Sequence, residues 1–419
     1  MSTDRLYYND PFLNDFTAEV KAVREIDGRK AVALNRSAFY PTSGGQVFDT
    51  GWLDVGPGGE KLRVSEVAEA PENDGNGDDK DEVLHIIETT DATNVEELVE
   101  GVQVRGYIDV DRRRDHMQQH TGQHVLSAAF IRLFNMPTVS FHMGAESCTI
   151  DLDTKGVSDE QLRAVEQEAN RIIFEDRPVA IKYALAPEAR AMGVRKIPSD
   201  ISGELRLIDI KDYDLNACGG THVRATGQIG AILLRKTEKV RQGVRVEFVC
   251  GLRAVNAARR DYESLVKAGA LFSAHIHDVP SQISKLIEDN KAQARERKRL
   301  TEEVAAYYAP QLLQEGEQRE GYTLLARVFT DREVTDIKLL AQKATASAPS
   351  VVLLGATQGQ PGLVFAQTPG LPFDMGALMR QAMAELGGRG GGTKDMGQGG
   401  APDATKIRDV IGRIAQHVA

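Results

Sequence analysis

The sequence predicts a mixed α+β chain in four parts: a small N-terminal β-barrel, a central α+β domain, a helical linker and a C-terminal α/β domain. Three observations carry this expectation. Short β-type runs separated by Gly, Pro and Asp clusters fill roughly the first 110 residues. Helix-period and strand-like segments then mix in the order typical of an α+β layer arrangement. A long, highly charged helical stretch follows, and strands and helices are interspersed after it. With 419 residues, 41% hydrophobic and 27% charged, the chain is long enough for two or three cores and is neither disordered nor collagen-like in composition.

The parts are expected at 1–110, 111–274, 275–310 and 311–419. In the first, segments 30–34, 51–55 and 83–87 read as strands of a small barrel or sandwich. Residues 70–82 offer no apolar anchor after Pro71 and are expected to form a mobile surface loop. The second part opens with a helix over 111–134, whose apolar face is Val125, Leu126, Ala129, Ile131 and Leu133. A strand at 147–152 comes next, then a helix over 159–177 with Leu162, Val165, Ala169, Ile172 and Ile173 at helical spacing, then strands at 205–210 and 230–234. Segment 276–308 is a charged helix with Ile283, Leu286, Ile287, Ala294, Leu300 and Val304 as its apolar positions. It reads better as a linker helix or half of a helical hairpin than as a nucleic-acid-binding helix. The last part should contain a strand at 322–328, a helix at 333–345, strands at 351–355 and 363–367 and a helix at 375–386. The glycine-rich run 387–400 and a final helix complete it.

No segment approaches the roughly 20 apolar residues of a membrane helix, and the N-terminus lacks a basic-then-apolar leader pattern. A soluble, cytoplasmic protein is therefore expected. The net charge of −10 argues against coating nucleic acid by bulk electrostatics, but leaves local basic strips open. Cys148, Cys218 and Cys250 are too few for a disulfide scaffold, so a functional cysteine here would bind metal or act as a nucleophile.

The strongest chemical signal is His120-Thr-Gly-Gln-His124 together with Cys218-Gly-Gly-Thr-His222. Residues four apart share a helix face, so His120 and His124 can present two imidazoles to one ion. The Gly-Gly pair lets the backbone curl so that Cys218 and His222 complete a tetrahedron. Imidazole and thiolate together select zinc over magnesium or calcium, and one Zn2+ per chain is expected. Thr121 stands where metalloproteases carry a glutamate base, which argues against that class. A purely structural zinc remains open, since four protein ligands leave no free position.

At these residues the sequence resembles the AlaX-type alanyl-tRNA editing proteins, which are similar to the editing part of alanyl-tRNA synthetase. Ser37-Ala-Phe-Tyr-Pro-Thr-Ser-Gly-Gly-Gln-Val-Phe-Asp-Thr-Gly51 looks like the family's glycine-rich editing motif. Asn216-Ala-Cys-Gly-Gly-Thr-His-Val-Arg-Ala-Thr-Gly-Gln-Ile-Gly230 is close to its signature. The run Gly387-Gly-Arg-Gly-Gly-Gly-Thr-Lys-Asp-Met-Gly-Gln-Gly-Gly400 resembles the DHH-associated domain at the end of alanyl-tRNA synthetases and of the long AlaX form. No Asp-His-His string is present, Asp115-His-Met being the nearest, which argues against a DHH phosphoesterase. The chain opens directly on the editing-like β region, so the expected protein deacylates tRNA without charging it.

The resemblance implies hydrolysis of the ester joining a wrong amino acid, chiefly serine, with glycine left open as a second, to the terminal adenosine of alanine tRNA. Zinc on His120, His124, Cys218 and His222, the expected catalytic set, would activate water or the ester carbonyl if a position opens, or shape the pocket if all four bind. Gly44, Gly45 and Gln46 would let backbone amides approach the adenosine or the ester oxygen, or else form a plain tight turn. Ser37 stands where family members often carry a hydroxyl-sensing threonine, and a sensing group works only if it is otherwise left unpaired. His116 would support the ligands from one turn earlier, His142 would lie near the pocket or be structural, and Cys148 and Cys250 would be core residues. Arg235 and Lys236 in the strip 234–245, Arg112 to Arg114, and Arg389 and Lys394 among glycines are the expected tRNA contacts, with solvated faces as the plainer reading for the first two groups. The third domain would grip tRNA or mediate a homodimer. Two readings compete: a non-catalytic tRNA-binding protein with structural zinc, and a peptidyl-tRNA hydrolase using Gly44-Gly-Gln46 as release factors do.

Overall fold

The computed structural model describes residues 2–55, 61–70, 82–89, 98–195, 203–241 and 243–418. The loop expected at 70–82 lies, apart from its two ends, outside the described residues. Two compact units divide the chain, Met1–Val266 and Lys267–Ala419.

The first unit begins with the expected barrel. Its strands are β1 (Asp15–Ile26), β2 (Arg29–Leu34), β3 (Gly51–Val55), β4 (Lys61–Glu69), β5 (Val83–Ile87) and β6 (Gln103–Ile108), closed in the order β1-β2-β5-β4-β3-β6. Alternation sets the inside: Phe16, Ala18 and Val20 on β1, and Val104 and Ile108 on β6, point into one core with Leu53, Leu62 and Val64. Closing the sheet leaves neither β1 nor β6 as a free edge.

Helix α1 (Val110–Phe134) leaves the barrel directly and ends on Asn135 in the left-handed conformation. Burial runs all round it, because strands pack on several of its sides. Of its expected apolar face, Val125, Leu126 and Ala129 are buried while Leu133 is exposed. Two strands follow, β7 (Thr138–Met143) and β8 (Cys148–Leu152), then α2 (Asp159–Phe174). Ser158 caps α2 in a reciprocal box with Gln161, and Val165, Ala169, Ile172 and Ile173 face the core as their spacing predicts. Strands β9 (Val179–Leu185), β10 (Glu204–Ile210) and β11 (Asp214–Ala217) form a three-stranded antiparallel sheet. Strands β12 (Ile232–Val240) and β13 (Gly243–Cys250) extend β8 and β7 into a four-stranded antiparallel sheet ordered β12-β13-β8-β7. A helix that the sequence reading passes over, Gly251–Leu271, follows. Its buried positions include the small residues Ala254 and Ala257, while Leu252, Val255 and Leu271 are exposed, so its apolar side chains mark no core stripe.

In the second unit the long charged helix runs Val279–Leu313, and only its end, Ala305, Ala309, Leu312 and Leu313, joins a core. The sheet beyond it has six strands: Glu317–Arg319, Tyr322–Phe329, Ser350–Ala356, Gly362–Gln367, Met396–Gly400 and, at the far edge, Arg389–Gly392. The second and third pair in parallel across helix Val334–Ser347, and the other pairings are antiparallel. The glycine run is therefore a hairpin of this sheet. Side chains at Gly390 and Gly399 would collide with Met383 on helix Met375–Leu386, so these glycines allow that helix to lie close against the strands.

Candidate metal centre

The two motifs meet. His120 and His124 lie one turn apart on α1, and the segment after β11 brings Cys218 and His222 to them, so that one ligand atom from each lies within 4.8 Å of every other. The three histidines are buried. Cys218 Sγ lies 3.4 Å from His120 Nε2 and 3.3 Å from His222 Nε2.

Neighbouring hydrogen bonds fix which ring nitrogens are free. Gln46 Oε1 accepts from the Thr221 backbone N–H at 3.1 Å and lies 2.7 Å from His120 Nδ1, so His120 donates from Nδ1 and keeps a lone pair on Nε2. The other end of that amide donates to Thr221 Oγ1 at 2.8 Å. Thr121 works in the same way: its hydroxyl proton goes to Met117 O at 2.8 Å, leaving Oγ1 to accept from His222 Nδ1 at 3.2 Å and from Val223 N. His222 Nε2 thus also turns a lone pair toward the sulfur. His124 Nδ1 lies 3.4 Å from Asp214 Oδ2, an ion-pair distance outside good hydrogen-bond geometry. These are the oriented imidazoles and outer partners that a metal site requires, and the thiolate and imidazole set suits zinc.

Charge follows the geometry. Burial alone would push the Cys218 thiol up, but His120 and His222 beside it hold it well below the usual thiol range. Burial opposes a proton on His124, yet Asp214 and Cys218 raise its pKa to about 9. Burial takes His222 well below the usual histidine range.

Two glycines are required for the approach. A Cβ on Gly220 would sit 2.1 Å from His120 Cε1, and one on Gly45 would sit 2.4 Å from Phe141 O, where Gly45 also has φ +83°. Arg206 holds the Cys218 loop from behind, donating to the carbonyls of Cys218 at 2.6 Å and Gly220 at 2.9 Å. A cleft of about 420 Å³ opens over the cluster, walled by Gly44, Phe141, Arg195 and Asn216 among others.

The other expected site residues are distributed as follows. Gly44 lines the cleft, Gly45 docks on β7 through Met143 N, and Gln46 is fully buried as the partner of His120. Ser37 is not brought to the cleft; it is buried beside the barrel, with its hydroxyl 2.7 Å from His85 Nε2. His116 is buried 4.0 Å from Asp49, and His142 is exposed on β7. Cys148 and Cys250 are buried in the core. Arg113 forms a buried ion pair with Asp49, so the run 112–114 is not a free basic strip. Arg235 pairs with Asp261, and Lys236 with Glu238 and Glu247. Arg389 and Lys394 are exposed in the second unit. Gln46 as an orienting residue, Asp214 and Arg206 are missing from the sequence reading; the one clue available was Asp214 standing four residues before Cys218.

Comparison with known proteins decides the family. The chain is 31% identical to the alanyl-tRNA editing protein AlaX-L of Pyrococcus horikoshii over 94% of both chains. The chain belongs to the AlaX-type alanyl-tRNA editing proteins. Alanine–tRNA ligases of Pyrococcus abyssi and Thermococcus kodakarensis match the AlaX-type chain at 31% and 30% identity over 99% and 98% of it. The chain spans 43% of the length of each of these ligases. Residues 205–246 match the threonyl and alanyl tRNA synthetase second additional domain, a stretch that includes Cys218 and His222. The solved C-Ala domain of Aquifex aeolicus alanyl-tRNA synthetase aligns with 24% of this chain and 95% of its own at 22% identity, with a TM-score of 0.23. Among the described residues no helix is long and apolar enough to cross a membrane.

Proposed function

We propose that this protein is a trans-editing hydrolase that removes a wrong amino acid, chiefly serine and also glycine, from alanine tRNA by cleaving the ester at the terminal adenosine. The observation that carries the reading is the set of four ligand atoms within 4.8 Å of one another, three of whose residues, His120, His124 and Cys218, line a cleft of about 420 Å³. That volume falls in the range of small-molecule pockets. His120, His124, Cys218 and His222 would hold one Zn2+, and a bound zinc supplies Lewis acidity toward an ester carbonyl or lowers the pKa of a bound water. The chain's own residues prepare the site. Gln46 and Thr121 hold His120 and His222 with Nε2 toward the ligand set, and the Asp214 carboxylate faces His124 Nδ1 at ion-pair distance. Arg206 fixes the carbonyls on either side of Gly219 and thus the direction of the Cys218 loop. Gly44 and the backbone around Gly219 leave room for a substrate at the wall.

In this reading Arg389 and Lys394 contact the tRNA body, and Arg235 and Lys236 would first exchange their acidic partners for phosphates. The domains are read as barrel, editing domain, helical linker and C-terminal tRNA-binding domain. A structural zinc in a tRNA-binding protein is the second reading, favoured by the presence of four protein ligands. The release-factor analogy is weakened because Gln46 is buried against His120.

The test mixes catalytic amounts of protein with Ser-, Gly- and Ala-tRNA of alanine specificity and follows ester loss with and without a zinc chelator. Chelator-sensitive loss of Ser-tRNA with Ala-tRNA spared is expected. No turnover on any of the three, with tRNA binding intact, would move the assignment to the structural-zinc protein. Loss of both metal and deacylation is expected in His120→Ala and Cys218→Ala, and unchanged metal content in either would overturn the ligand set.

A further inference from the structure

We infer that Arg195 forms a phosphate subsite in the cleft, taking the 5′-phosphate of the nucleoside that carries the ester. The inference rests on the proposed function for the identity of that nucleoside, but the subsite itself stands on geometry.

The cleft is walled largely by apolar and neutral polar groups, and among the described residues Arg195 is its one permanently charged side chain. Among the described residues no carboxylate or lysine lines it. The guanidinium is held rather than free: one η nitrogen donates to Asp214 Oδ2 at 3.1 Å, and the Arg195 backbone N–H donates to Leu215 O at 3.0 Å. Its Nε is buried without a hydrogen-bond partner. A buried donor without an acceptor is costly, and among the described residues Asp214 is the guanidinium's one hydrogen-bond acceptor for its five N–H donors. Such a fork, fixed at one end and open at the other, suits a tetrahedral oxyanion better than a neutral group.

Its position gives the subsite a meaning. Asp214, which takes the η nitrogen, also faces His124 Nδ1 at 3.4 Å, so a single carboxylate stands between the guanidinium and the ligand set. In a nucleotide bearing an ester on its ribose hydroxyls, the 5′-phosphate lies across the sugar from the ester. A nucleotide lying along the cleft can therefore put its ester over the ligand cluster while its phosphate meets Arg195. The same contact would bias Asp214, which is shared between Arg195 and His124, toward its orienting role.

Binding is measured first, because it does not require turnover. The affinity of the full-length protein for adenosine 5′-monophosphate is compared with that for adenosine, in wild type and in Arg195→Gln and Arg195→Lys. A charge-assisted phosphate contact predicts a preference for the monophosphate of about 10- to 100-fold. The preference should vanish in Arg195→Gln and survive in part in Arg195→Lys. Free serine, whose carboxylate is the competing anion, should bind with no dependence on Arg195. The second arm compares hydrolysis of seryl esters of adenosine and of adenosine 5′-monophosphate, where Arg195→Gln should raise KM for the phosphorylated ester alone. Zinc content is measured on each variant to show that the ligand set persists.

Equal affinity of wild type for adenosine and its monophosphate overturns the subsite, as does an equal loss on both esters, which would make Arg195 only a support for Asp214. Arg195-dependent binding of serine would reassign it to the product carboxylate and also overturn the proposal. Arg195-dependent monophosphate binding without turnover on any ester would keep the subsite and remove the hydrolase reading.

Discussion

Gly220→Ala is the sharpest test of the packing at the candidate metal centre. The new Cβ would lie 2.1 Å from His120 Cε1, 2.4 Å from His120 Nδ1 and 3.0 Å from Gln46 Oε1. Ordinary carbon contacts begin near 3.5 Å, so the ring or the Cys218 loop must move by roughly 1.4 Å. His120 cannot retreat without giving up its 2.7 Å contact with Gln46, and the loop cannot retreat without stretching the Arg206 contacts to Cys218 and Gly220. Metal sites tolerate about 0.2 Å in ligand distance, so either movement removes a ligand. The expected result is a fall in zinc affinity of about 100-fold or more, with a fold destabilised by only about 1–3 kcal/mol. Chelator competition gives the affinity and urea unfolding of the metal-free protein gives the stability. Gly219→Ala is the matched control, because its Cβ would meet nothing closer than Tyr8 Oη at 3.5 Å. It should change stability by about 0.5 kcal/mol or less and keep its metal. Wild-type zinc affinity in Gly220→Ala, or equal behaviour of the two variants, would refute the argument.

Gln46→Ala should weaken zinc binding by about 10- to 100-fold by freeing His120 to rotate, which the same chelator competition would detect. Ser37→Ala should cost about 1–2 kcal/mol in urea unfolding and leave the ratio of Ser-tRNA to Ala-tRNA hydrolysis unchanged, since its hydroxyl is tied to His85; altered selectivity would return it to the site. Burial lowers His85 from 6.5 to about 4, so as pH falls below about 6.5 the unfolded chain binds a proton that the folded one refuses. Its share of stability is complete above pH 6.5 and declines toward pH 4 by on the order of 3 kcal/mol, and the slope over that window should be shallower by up to one proton in His85→Gln. Replacing Arg389 and Lys394 together with alanine should weaken tRNA affinity and reduce its salt dependence, leaving hydrolysis of a minimal seryl-adenosine ester as in wild type.

What the sequence determined by itself was whatever repeats locally. The four-residue spacing of His120 and His124 requires only that the segment be helical, and the step from Cys218 to His222 requires only a Gly-Gly curl, so both ligand pairs could be read without knowing the fold. The same holds for the barrel strands and for α2, whose alternation, 3.6-residue spacing and Ser158 cap are written in neighbouring residues. Helix Gly251–Leu271 escaped because its buried positions include alanines and its larger apolar residues face outward. The tertiary structure alone decided which residues serve the ligands. Gln46 reaches His120 across 74 positions and Thr221 across 175, Ser37 is drawn to His85 instead of the cleft, and Asp214 is shared by His124 and Arg195. Such partnerships follow from how the barrel and sheets pack around α1, and a single buried polar contact leaves no period in the chain by which it could be recognised.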